Sequence, residues 1–225
     1  MSRQLVLDLG HRTARGRADF LVSHSNSEAV EWIDRWPKWP ASAFAIWGPA
    51  ASGKTHLAHV WCELSGGVLI KPEDVLRVDA PKLRARKEFL CVDDVDRLTG
   101  DRDGEEALLH LYNYVLETNG ALLFVATEAP ARWPMQLADL ASRMKALTGV
   151  GISAPDDDLL VALMMKQFHD RQLRVGEDVV FYLLARMERS FAAVADIVAA
   201  IDAAALECHR EITVPLAREI LDGIA

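Results

Sequence analysis

The stretch Gly48-Pro49-Ala50-Ala51-Ser52-Gly53-Lys54-Thr55 fits the pattern G-x-x-x-x-G-K-[ST] without a mismatch. No other part of the chain restricts the fold as strongly. Such a loop works only between the end of a buried strand and the start of a helix. Its backbone N–H groups cradle phosphate oxygens, and Gly48 and Gly53 let the backbone come close. Lys54 offers a positive charge to the β and γ phosphates, Thr55 offers a hydroxyl to a magnesium ion, and the following helix turns its positive end toward both. The flanks supply that setting. Ala43-Phe44-Ala45-Ile46-Trp47 reads as a buried strand, and Leu57, Ala58, Trp61, Cys62 and Leu64 recur at helical spacing. The residues expected to hold a nucleotide, ADP or ATP with Mg2+, are Gly48, Ala51, Ser52, Gly53, Lys54, Thr55 and His56. His56 and His59 lie three apart with no third ligand in view, so they read as helix residues and not as a metal pair.

A second chemical motif follows at Phe89-Leu90-Cys91-Val92-Asp93-Asp94, an apolar strand that ends in two carboxylates. In phosphate-loop proteins an acid at this strand end supports the magnesium ion, usually through water, and the next acid polarises the attacking water. Asp93 takes the first role and Asp94 the second. Asp94 is shorter than the glutamate often found there, which implies slow hydrolysis. Ala121-Leu122-Leu123-Phe124-Val125-Ala126 is another buried strand, ending at Thr127-Glu128, where a polar residue reaches the γ-phosphate region. Between these strands, Gly104 to Asn119 reads as a helix with Leu108, Leu111, Tyr112, Val115 and Leu116 as its apolar stripe.

The remaining chain falls into order around this unit. Val68-Leu69-Ile70 and Gly149-Val150-Gly151-Ile152 are short strands. Ser25 or Asn26 is the expected cap of a helix with Ala29, Val30, Ile33 and Trp36 on one face, and Pro37 and Pro40 end it. Lys82, Arg84, Arg86 and Lys87 read as a solvated basic loop. From Asp156 the pattern is all helix. Asp156-Asp157-Asp158 opens the first helix, with Leu159, Leu160, Leu163, Met164, Met165 and Phe168 as its apolar positions. Gly176 opens the second, Ser190 caps the third, and Thr213 with Pro215 starts the fourth. The expected domains are therefore a tail and linker over 1–19, an α/β nucleotide-binding domain over 20–154 and a small all-α lid over 155–225.

The tail carries Gln4-Leu5-Val6-Leu7-Asp8-Leu9. One reading is a first strand with Leu5, Leu7 and Leu9 on one face. The other is a docking peptide whose leucines lie in a groove while the Gln4 amide bonds at the rim. The Arg-, His- and Gly-rich stretch from Gly10 to Asp19 leaves a lone strand little to pair with, which favours the peptide.

Bulk properties exclude several classes. A chain of 225 residues with formal charge −8 is a poor candidate for coating nucleic acid, although a partner can hold DNA for it. Cys62, Cys91 and Cys208 are far apart and form no C-x-x-C pair, which suits reduced thiols in a cytoplasmic protein. Neither a signal peptide nor an apolar run of membrane-spanning length is evident, so no membrane is expected.

The order of these motifs resembles the AAA+ ATPases of the bacterial initiator DnaA type: phosphate loop, Asp93-Asp94, Thr127-Glu128, then Leu140-Ala141-Ser142-Arg143 and a helical lid. Together with the Gln4–Leu9 stretch, which resembles a sliding-clamp binding motif, and no helix-turn-helix domain after the lid, the chain is similar to the Hda family of DnaA inactivators. The resemblance implies a parallel sheet between helices with a lid after it. It implies docking on the DNA-loaded β sliding clamp through Gln4, Leu5, Leu7 and Leu9. It makes Arg143 an arginine finger in trans that promotes hydrolysis of DnaA-bound ATP. DnaA and the clamp are the implied partners, with self-association as a further option and no strong direct DNA binding. The catalytic set is then Arg143, Asp94 and Thr127, with Thr55 and Asp93 toward magnesium. One position departs from the pattern: where the third lid segment of the family usually carries a sensor arginine, Ala192 stands here. Either Arg189, one turn earlier, substitutes for it, or nothing does. A competing reading is an ATPase that turns over its own nucleotide to load a helicase or another client on DNA.

Overall fold

Apolar runs without polar alternation become strands covered on both faces, as a parallel sheet between helix layers requires. In this computed structural model, which describes residues 21–76, 89–208 and 211–224, those runs are β1 (Ala43–Trp47), β3 (Phe89–Val92) and β4 (Ala121–Ala126), while β2 (Val68–Ile70) and β5 (Thr148–Gly151) are shorter and partly exposed. They form a sheet in the order β2-β3-β4-β1-β5, and all four pairings are parallel. Gln4, Leu5, Leu7 and Leu9 of the tail, and the basic residues Lys82, Arg84, Arg86 and Lys87, lie outside the described residues.

The helices of this part are α1 (Ser27–Asp34), α2 (Lys54–Ser65), α3 (Pro72–Val75), α4 (Arg102–Glu117) and α5 (Ala138–Lys145). On one face of the sheet Leu90, Val92, Leu122 and Phe124 pack with Leu108, Leu111 and Val115 of α4 and Leu140 and Met144 of α5. An aromatic group adds to the core: Trp39 stacks on Trp61 at 5.4 Å and 7°, Trp36 meets Trp61 and Phe89 edge-on, and the Trp39 indole N–H donates to the Trp32 carbonyl at 2.7 Å. β5 runs beside β1 because it is small there. A Cβ on Gly149 would lie 2.5 Å from the Ala45 carbonyl oxygen, and one on Gly151 would lie 2.9 Å from the Trp47 indole nitrogen.

The chain divides into two compact units: Glu28–Ala154, and Pro155 onward together with the described residues up to Ser27. The second unit holds α6 (Asp157–Asp170), α7 (Glu177–Leu184), α8 (Phe191–Cys208) and α9 (Val214–Ile224). Leu160, Met164, Phe168, Val180, Leu183, Val194 and Ile201 form its core. Asp156 caps α6, its carboxylate accepting from the Leu159 N–H at 2.8 Å, and Ser190 caps α8 by accepting from the Ala193 N–H at 3.1 Å.

Several local expectations change. Residues 21–27 group with the second unit and not with the α/β unit. Their Asn26 is turned back on the preceding turn, accepting from the Ser23 N–H and donating to the Leu21 carbonyl, so its side chain does not serve α1. The helix expected from Gly104 begins at Arg102, because Asp101 caps it through the Gly104 N–H. Leu64, Leu116 and Met165, expected in apolar stripes, are exposed, while Met164 is buried as expected and Val60 and Tyr114, not singled out, are buried in their helices.

Candidate functional site

The loops after β1, β3 and β4 leave the sheet on one side, at the carboxyl ends of its parallel strands, and β4 lies between β3 and β1. This is the crevice at the carboxyl ends of parallel strands where ligands bind in open α/β sheets. The loop after β1 is shaped by the conformations its sequence allows. Gly53, the residue before α2, has φ 90°, and Ala51 has φ 54°. Alternating left-handed residues of this kind turn successive N–H groups inward into an anion-binding concavity. Gly48 donates to the Ala126 carbonyl at 3.2 Å, and a Cβ there would lie 2.3 Å from the Ile152 carbonyl oxygen. Only glycine lets the loop start so close to the end of β5.

Inside this loop Ser52 is 2% exposed, and its Oγ has no protein partner. Lys54 is buried, with its Nζ donating to the Pro49 carbonyl at 2.6 Å across the loop. Burial pulls its pKa below the usual lysine value, and the charges of Asp93, Asp94 and Asp96 oppose that shift. The Thr55 hydroxyl donates to Asp93 Oδ2 at 2.9 Å, and the Asp94 N–H donates to Asp93 Oδ1 at 3.0 Å. Asp93 is buried and Asp94 is exposed, with Asp94 at φ 47°, ψ 39° before the 3-10 turn Val95–Leu98. Thr55 and His56 are exposed at the start of α2. The donor set fits a phosphate-bearing ligand. An inward-turning loop, an unpartnered buried hydroxyl, a lysine and a threonine–aspartate pair are what a nucleotide and its magnesium ion use. Gly48, Ala51, Ser52, Gly53, Lys54 and Thr55 would hold the phosphates, and Thr55 with Asp93 would face the metal.

Thr127 stands at the end of β4. Both its N–H and its hydroxyl donate to Asp96 Oδ2, the N–H at 2.9 Å. Asp96 was not singled out by the sequence, because its partner lies 31 residues away. Glu128 faces outward and pairs with Arg132 at 3.1 Å.

Arg143 lies on α5, outside this cluster of loop residues. Its guanidinium makes two bonds of 3.1 Å to Asp139 one turn earlier. It donates to Asn113 Oδ1 of α4 at 2.8 Å, and it covers the Tyr112 ring at 5.4 Å. α4 and α5 are tied together by Glu105, which is fully buried. Its carboxylate accepts from the N–H groups of Gly100, Gln136 and Leu137 at 2.7 to 3.0 Å. Burial alone would raise its pKa, but the Leu137, Gln136 and Gly100 N–H bonds hold it below the usual glutamate value.

In the other unit Arg189 pairs with Asp157 at 2.8 and 3.2 Å, which holds the Asp157 carboxyl below its usual range. Ala192 is exposed in the first turn of α8.

Asp139 and Arg143 are separated by four residues, a spacing that alone signals a helical pair. Glu105 also carried a signal, since it precedes Leu108 by three on the buried face of α4 and is a carboxylate among apolar residues. Asn113 had none.

With this geometry in place, comparison with known proteins is informative. Residues 156–221 match the family described as the Hda lid domain. A structure of domain III of the Thermotoga maritima replication initiation protein DnaA is 18% identical, with TM-score 0.77, over 91% of this chain and 94% of that one. A DNA replication initiation factor is 17% identical, with TM-score 0.72, over 84% of this chain. The chain spans only 64% of that factor's length. An uncharacterized protein of Haemophilus influenzae is 24% identical over 190 residues, which is 80% of this chain and 81% of the relative. The parallel sheet with a helical unit after it is thus an AAA+ fold.

Proposed function

We propose, from the match of residues 156–221 to the Hda lid family and the likeness of the fold to DnaA domain III, that this chain binds ADP or ATP with Mg2+ at Gly48–Thr55 and acts as a negative regulator of replication initiation. In this reading it docks on the DNA-loaded sliding clamp through Gln4, Leu5, Leu7 and Leu9. From there it presents Arg143 to ATP held by DnaA. An arginine supplied in trans stabilises charge on the transferred phosphoryl group, and such a finger is worth roughly three to five orders of magnitude in rate.

The observation that carries this reading is the mounting of Arg143. The side chain is 31% exposed while bonded from two helices and lying over an aromatic ring. That combination of accessibility and fixed geometry suits a group that acts on another molecule's ligand. Asp94 and Thr127 belong to the chain's own nucleotide site, where turnover is secondary. The domains proposed for this work are the tail over 1–19, an α/β domain that ends at residue 154 and the lid over 155–225, in a cytoplasmic protein.

The competing reading, an ATPase that loads a client on DNA, draws on the chain's own Thr55–Asp93 pair. One experiment separates them. ATP-loaded DnaA is mixed with DNA-loaded clamp and either the full chain or the chain without residues 1–10. The regulator reading expects rapid hydrolysis of the DnaA-bound ATP with the full chain and loss of it with the truncated one. DNA-stimulated hydrolysis by the chain alone, with no effect on DnaA, supports the loader.

A further inference from the structure

We infer that Asp96 is a positioning residue that holds Thr127 away from the terminal phosphate of a bound nucleoside triphosphate and so keeps the chain's own hydrolysis low. The inference rests on the phosphate-loop reading and is independent of what Arg143 does.

A carboxylate has no proton to give, so it can only accept. The Thr127 hydroxyl therefore spends its single proton on Asp96 Oδ2. The Thr127 backbone N–H donates to the same oxygen at 2.9 Å, which fixes the residue from two sides. The 3-10 turn that carries Asp96 is held by its own backbone. Arg97 donates to the Asp94 carbonyl at 3.0 Å and Thr99 to the Asp96 carbonyl at 3.2 Å. Thr127 follows Ala126, whose carbonyl accepts from Gly48 at the start of the phosphate loop. The hydroxyl thus stands beside the loop with only lone pairs left to present. Lone pairs repel phosphate oxygens, whereas a donated proton would stabilise them. The Asp96 charge also acts on Lys54 along with those of Asp93 and Asp94, so it adds negative potential where the terminal phosphate would lie. In the hydrolysis itself, water adds to the terminal phosphorus and the bridging P–O bond breaks. The diphosphate leaves with the bond's electron pair, and a proton from water passes to solvent. A threonine able to donate would lower that barrier, and Asp96 removes this option.

The test compares the unchanged protein with Asp96→Ala, Asp96→Asn and the double variant Asp96→Ala/Thr127→Val. It measures single-turnover hydrolysis of ATP, binding of fluorescent tri- and diphosphate nucleotides, and amide hydrogen exchange at Thr127 without nucleotide. Asp96→Ala is expected to raise hydrolysis and triphosphate affinity by roughly tenfold, the scale of one charge-assisted hydrogen bond. Asp96→Asn, which still accepts but without charge, gives a smaller rise. The double variant loses the gain, because no hydroxyl is left to release. Exchange at the Thr127 amide speeds up in Asp96→Ala. A folded Asp96→Ala protein whose hydrolysis and triphosphate affinity stay within about twofold of the unchanged protein overturns the inference, and so does a gain that survives Thr127→Val. Failure of the unchanged protein to bind any nucleotide overturns the phosphate-loop reading and this inference together.

Discussion

Two arginines of this chain each pair with an aspartate at nearly the same distances, yet they are mounted differently. Arg143 of the α/β unit bonds Asp139 at 3.1 Å, and Arg189 of the lid unit bonds Asp157 at 2.8 and 3.2 Å. Arg143 has two further ties from a second helix, the Asn113 carbonyl oxygen and the Tyr112 ring, and its side chain is 31% exposed. Arg189 pairs with Asp157 of its own unit, and its side chain is 59% exposed. An exposed ion pair contributes little because water and salt screen it and both side chains lose freedom in forming it. The contrast separates a side chain that is positioned from one that is merely neutralised. It also bears on the departure noted at Ala192: an arginine whose bonds go to Asp157 is a weak substitute for a sensor that reads bound nucleotide.

Predictions follow from that contrast in descending size. Arg143→Ala is expected to lower stimulated hydrolysis of DnaA-bound ATP by at least about three orders of magnitude, with clamp binding retained in a pull-down. Glu105→Ala strips a buried acceptor from the Gly100, Gln136 and Leu137 N–H groups and is expected to cost about 3 kcal/mol in urea unfolding. That stabilisation depends on pH in a fixed direction. The folded carboxyl titrates below its unfolded value, so its contribution is complete above the unfolded value and is lost as pH falls through the folded one. Unfolding curves of Glu105→Ala and the unchanged protein should therefore converge in acid. Asn113→Ala removes one of the outside ties on Arg143 and should reduce stimulated hydrolysis by about tenfold through poorer orientation, leaving the melting temperature almost unchanged. Arg189→Ala should change neither stability nor stimulated hydrolysis measurably.

What the sequence made legible was local or periodic. The phosphate loop, the strand ends at Asp93 and Thr127, and the helix starts at Asp156, Gly176 and Ser190 each lie in a pattern of a few residues, and the structure has strands and helices there. The ties that hold the candidate side chains in place are long-range. Asp96 reaches Thr127 across 31 residues, Asn113 reaches Arg143 across 30, and Glu105 reaches Leu137 across 32. No spacing rule encodes such contacts, because they exist only once the parallel sheet has set β3 beside β4 and α4 beside α5. The apolar stripes failed at Leu64 and Leu116 for the opposite reason. There the periodicity was visible, but hydrophobic residues at the margin of a stripe are often left exposed.

The most direct measurement is single-turnover hydrolysis of labelled ATP held by DnaA, on DNA-loaded clamp, with the unchanged protein, Arg143→Ala and Arg189→Ala run side by side. The account predicts that the unchanged protein and Arg189→Ala give the same fast phase and that Arg143→Ala gives none above the rate of DnaA alone. A fast phase with Arg143→Ala, or its loss with Arg189→Ala while Arg143→Ala retains it, would contradict the assignment of Arg143 as the group that acts on the partner's nucleotide.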